Sequence, residues 1–83
     1  MSRSKTYEIT LTQEPVAVIE RAREKATSSG VDFQGDENEG NFAGKGLLGT
    51  YRIAGPLLTI TISKKPMILP WAMIESSIKS FFG

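Results

Sequence analysis

The chain has 83 residues, 40% of them hydrophobic, and a formal net charge of +1. That is enough apolar material for one core, and no global field of the kind a dedicated nucleic-acid binder carries. With neither cysteine nor histidine, disulfides, thiolate metal sites and imidazole-based acid–base or metal chemistry are excluded together.

No apolar run approaches the roughly 20 residues that cross a bilayer as a helix, and Met1–Thr10 lacks the apolar stretch of a secretory signal. The expectation is a single cytoplasmic domain over residues 1–83 without a membrane span, Met1–Lys5 being a frayed terminus. Thr6–Thr12 alternates, with Tyr7, Ile9 and Leu11 on one side and Glu8, Thr10 and Thr12 on the other. It predicts a strand with one face on the core. Pro15 then opens a helix that runs to Ser29, with Gly30 as its left-handed stop. Val18, Ile19, Ala22 and Ala26 form its apolar stripe with Val16 at the edge, and the mixed charges from Glu20 to Lys25 make a solvated face.

Val31–Gln34 predicts a short strand with Val31 and Phe33 inward, followed by a polar turn over Gly35–Gly40 and a strand over Asn41–Lys45. Gly44 and Gly46 at a spacing of two suggest a bulge or the close approach of another backbone, with the helix face at Ala22 and Ala26 as the candidate. Gly49–Ala54 and Leu57–Lys64 read as a hairpin about Gly55-Pro56. Leu58, Ile60 and Ile62 form its inner row, matched by Tyr51 and Ile53. After the short apolar run Met67-Ile68-Leu69, Pro70 starts a second helix with Trp71, Ile74, Ile78 and Phe81 as its stripe. The fold class expected is α+β: an antiparallel sheet of four or five strands with two helices on one face, in the order β-α-β-β-β(-β)-α.

Several constellations invite a chemical reading. Asp36-Glu37-Asn38-Glu39-Gly40 opens like a calcium loop, but the position that needs a bidentate Glu is Leu47, so a polar turn is the better reading. Gly44, Gly46 and Gly49 lead into a strand rather than a helix N-terminus, which excludes a phosphate loop. No cofactor or metal site is expected, and with no convergent carboxylate pair the chain does not read as an enzyme.

Lys45, Arg52, Lys64 and Lys65 form a candidate basic patch, with Tyr51 or Phe42 as stacking platforms for a nucleic-acid strand. The alternative is edge-strand protection by lysine, which the whole-chain charge favours, so nucleic acid is the weaker reading. Trp71, Phe81, Phe82, Met67 and Ile68 form a candidate interface, because adjacent Phe81 and Phe82 cannot both face fully inward. Placing Phe81 on the core leaves Phe82 at the margin, where a second copy or an apolar partner surface would meet it.

The pattern Phe33-x-Gly35-Asp36, Gly40-x-Phe42-x-Gly44, Tyr51-x-Ile53, Leu58-x-Ile60-x-Ile62 and Lys65-Pro66, closed by Pro70-Trp71 and Ile74-Glu75-x-x-Ile78, resembles the small bacterial polyhydroxyalkanoic acid system proteins. These are encoded beside granule-synthesis genes. The resemblance covers the chain from Tyr7 onward and carries no catalytic motif. It implies a non-enzymatic bacterial cytoplasmic role near an apolar surface or a protein partner.

Overall fold

The computed structural model describes residues 4–82. The chain runs β1 (Lys5–Thr10), α1 (Pro15–Ser29), β2 (Asp32–Gly35), β3 (Glu39–Gly44), β4 (Leu47–Ala54), β5 (Leu57–Lys64) and α2 (Trp71–Phe82). All five strands form one antiparallel sheet in the order β1-β5-β4-β3-β2. Three hairpins lay β2 to β5 side by side, and β1 pairs with β5, from Lys5 opposite Ile62 to Thr10 opposite Leu57. Both helices lie on one face of the sheet, as the α+β pattern predicts. Met1–Arg3 lie outside the described residues, and Lys5 belongs to β1 rather than to a frayed end.

Period-2 alternation sorts the sheet into a covered and an open face. Leu58, Ile60 and Ile62 are fully buried, and Tyr51 and Ile53 join them from β4. The opposite row, with Thr50, Arg52, Asn41 and Thr6, is exposed. α1 contributes Val18, Ile19 and Ala22 to the core, and α2 contributes Ile74, Ile78 and Phe82. Pro15 sits in the first turn of α1, where its missing N–H costs no hydrogen bond, and Gly30 ends the helix with φ +75°. Pro70 lies just outside α2, its carbonyl accepting the N–H groups of Met73 and Ile74.

The glycines act differently from expectation. Gly46 is not on a strand face: it and Lys45, with φ +84° and +55°, are the two residues of the β3–β4 hairpin loop. At Gly44 the near neighbour is Val31, not the alanines of α1, and the irregularity in the ladder falls at Leu48/Gly49. Gly35 and Gly40 are paired residues of β2 and β3, so the loop between those strands is shorter than the predicted turn. A Cβ at Gly40 would collide with the Gln34 carbonyl oxygen and lie 2.5 Å from Tyr51 Cε2. Glycine there leaves room for the Tyr51 ring, which reaches across β3 to donate its hydroxyl to the Asp36 carbonyl at 2.7 Å.

The order of α2's stripe also differs. Phe82 is 3% exposed, whereas Phe81 is only half-buried. The aromatic cluster on the sheet decides this. Phe82 sits 5.9 Å from Tyr51, 6.1 Å from Phe42 and 6.2 Å from Phe33 between ring centroids. Phe81 packs at the margin against Phe33 and against Phe82 itself.

Candidate functional site

The chain between β5 and α2 is short, bracketed by prolines, and held at both ends. Lys65 Nζ donates to the carbonyl oxygens of Pro66 at 3.1 Å and Leu69 at 2.8 Å, and the Leu69 N–H donates to Pro66 at 3.2 Å. Pro66 stands over Gly46 so closely that a Cβ there would lie 2.7 Å from Pro66 Cγ. The Leu69 side chain packs against the core. Between these anchors Met67 and Ile68 point into solvent, 96% and 93% exposed. Met73, in the first turn of α2, is also exposed. Solvated apolar side chains scattered singly are ordinary, but two adjacent ones on a fastened loop make a displayed surface.

Trp71 stands behind this tip. The Nζ atoms of Lys5 and Lys65 each lie 5.5 Å from its ring, and the Tyr7 ring is 6.4 Å away. Lys64, at the end of β5, and Lys45, beside Gly46, are on the same end of the sheet. Sequence reasoning missed Lys5 by assigning it to the terminus. Its alternation with Tyr7 was the available signal.

The candidate interface residues are thus divided. Met67 and Ile68 are displayed, Trp71 and Phe81 are half-buried, and Phe82 is core. The candidate basic patch is divided too. Arg52 lies opposite Glu39, with Nη2 3.6 Å from Oε1, while Lys64 pairs opposite Leu48. These positions are four steps apart along β4, about 13 Å. Lys45, Lys64 and Lys65 therefore share an end that Arg52 does not. Tyr51 and Phe42 are buried at 3% and 8% exposure, so neither offers a face for a base to stack on.

The acidic turn is tied to itself. Asp36 Oδ1 accepts the N–H groups of Asn38 at 2.9 Å and Glu39 at 3.1 Å, which holds its carboxyl below the usual range. No group of three or more metal-ligating side chains is assembled among the described residues. Burial, reinforced by the Asp36 carboxylate and opposed by Arg23, pushes the Tyr51 phenol up to about 12. The folded protein therefore keeps this proton where an unfolded tyrosine, near 10, releases it. Stability should be level up to about pH 10 and fall as pH rises towards 12, a slope that Tyr51→Phe should reduce in urea melts across that range.

The apolar hollow between helix and sheet is too small for a small-molecule ligand; the larger grooves, of about 730 and 670 Å³, are open and lined mainly by polar side chains. An apolar niche of about 80 Å³ between α2 and the sheet, walled by Val31, Phe42, Leu47, Ile78 and Phe81, is well below the several hundred Å³ of a small-molecule pocket. A serine-lined groove separates α1 from α2, where Lys25 Nζ donates to the Ser80 carbonyl at 2.7 Å. That lysine satisfies a C-terminal carbonyl of α2. No helix among the described residues is long and apolar enough to cross a membrane.

No protein-family model matches the chain, and a search of curated proteins finds no match.

Proposed function

We propose that this protein is a small non-catalytic docking module whose working surface is the β5–α2 loop. The observation that carries this reading is the outward display of Met67 and Ile68 on a loop fastened by Lys65, Pro66 and Leu69. Every Asp, Glu, Lys and Arg among the described residues remains at the surface, so the interior is devoted to packing. The role fits a bacterial assembly protein working at an apolar surface, as the resemblance to the polyhydroxyalkanoic acid system proteins implies.

The test is a polarity-sensitive dye combined with sedimentation. The folded wild type should enhance dye fluorescence, and Met67→Ser/Ile68→Ser should remove most of that signal with an unchanged urea midpoint, because neither side chain is packed. Equal dye signals from both proteins, or a double variant that unfolds early, would contradict the reading. Sedimentation shows whether a homodimer already covers the loop.

A further inference from the structure

The end of the sheet that displays Met67 and Ile68 is also basic. Lys5 opens β1 opposite Ile62, Lys64 closes β5, Lys65 secures the loop, and Lys45 lies in the hairpin that touches Pro66. Several of the acidic side chains are placed away from this tip or already engaged. Asp36, Glu37 and Glu39 lie at the opposite end of β2 and β3, Asp32 enters the sheet three strands from β5, and Glu75 pairs with Lys79 at 3.0 Å. Trp71, at the start of α2, is flanked by the ammonium groups of Lys5 and Lys65. An indole with one wet and one apolar side suits a membrane–water boundary.

Building on the docking reading, we propose that this end binds an anionic phospholipid surface. Met67 and Ile68 enter the headgroup–acyl boundary, and Lys5, Lys45 and Lys64 face the lipid phosphates. The two signals belong together physically. A small apolar insertion alone holds a protein weakly, and so does a small cluster of lysines, whereas their combination anchors it. The geometry disfavours other occupants. A stable protein interface needs about 800 Å² on each side, and two side chains projecting from a convex tip do not supply it. A second copy related by a two-fold axis through the tip would bring Lys45, Lys64 and Lys65 against their own equivalents. A nucleic-acid strand would meet the lysines but leave Met67 and Ile68 without a role.

The experiment is co-sedimentation of the full chain with vesicles of phosphatidylcholine, with and without phosphatidylglycerol, beside decane droplets in water. The wild type should bind phosphatidylglycerol vesicles and release them as salt is raised. Lys45→Gln/Lys64→Gln should weaken binding by about fivefold for each lysine. Met67→Ser/Ile68→Ser should weaken it by about tenfold or more, with an unchanged circular dichroism spectrum. Binding that ignores the Met67→Ser/Ile68→Ser change would overturn insertion. Binding to decane but to no vesicle would overturn the lipid assignment while leaving the docking reading intact. A wild type that binds neither would remove both. A concentration-dependent dimer that protects Met67 from oxidation would overturn the lipid assignment in favour of a second copy.

Discussion

Phe82→Ala should destabilise the protein by about 3–5 kcal/mol, the cost of emptying a packed aromatic site. An 83-residue chain has about 4–12 kcal/mol of stability in total, so this one change approaches the unfolding limit. The cost follows from the site. Phe82 is 3% exposed and meets Phe33, Phe42 and Tyr51 on the sheet together with Phe81 on its own helix. Phe33 and Tyr51 are themselves stacked at 5.4 Å, so little can collapse into the space. Phe81→Ala, at the half-buried margin, should cost less than half as much. Urea melts of the two variants side by side are the measurement. Equal midpoints, or a larger loss at Phe81, would mean that α2 is rotated from the arrangement described.

Ile60→Ala is expected to cost about 2–5 kcal/mol. Ile60 is fully buried at the centre of β5, paired with Tyr7 of β1 on one side and Tyr51 of β4 on the other. It belongs to the core cluster that β4 and β5 share with both helices. Thr61→Ala, one residue along and facing the open side, removes only an exposed hydroxyl contact to Thr6 at 3.3 Å and should cost far less. Similar urea midpoints for the two variants would contradict the assignment of the sheet faces.

Most of the fold could be read before the structure was seen, for identifiable reasons. The alternation of β5, the Pro15 and Gly30 ends of α1 and the Gly55-Pro56 turn are local signals, each set by the geometry of a few adjacent residues. α1 falls on Pro15–Ser29 as its proline and glycine predict. What local reasoning could not settle depends on contacts between distant segments. On a helix turning 100° per residue, Phe81 and Phe82 lie about 50° to either side of the stripe made by Trp71, Ile74 and Ile78. Only the aromatic cluster of Phe33, Phe42 and Tyr51 on the sheet separates them. Gly40 is similar: it reads as a turn residue in isolation, and its role under the Tyr51 ring emerges when β3 and β4 pair.

The candidate site was partly legible. Met67 and Ile68 stood out as apolar surplus, and Lys45, Lys64 and Lys65 as basic residues. Their meeting at one end of the sheet depends on the β3–β4 hairpin lying under Pro66. Lys5 joins them through the pairing of the first strand with the last, the longest-range feature of the topology. Arg52 shares only their charge: it sits further along β4 against Glu39.

The central claim is that the β5–α2 loop is the surface with which this protein docks, and Trp71 reports on it directly. It is the only tryptophan in the chain, it follows the displayed Ile68 by three residues, and it is partly buried beside Tyr7 and the two lysines. Its emission should be followed while decane droplets are added to the folded protein. The account predicts a shift to shorter wavelength for the wild type and none for Met67→Ser/Ile68→Ser. An unchanged wild-type spectrum, or the same shift in both proteins, would contradict it.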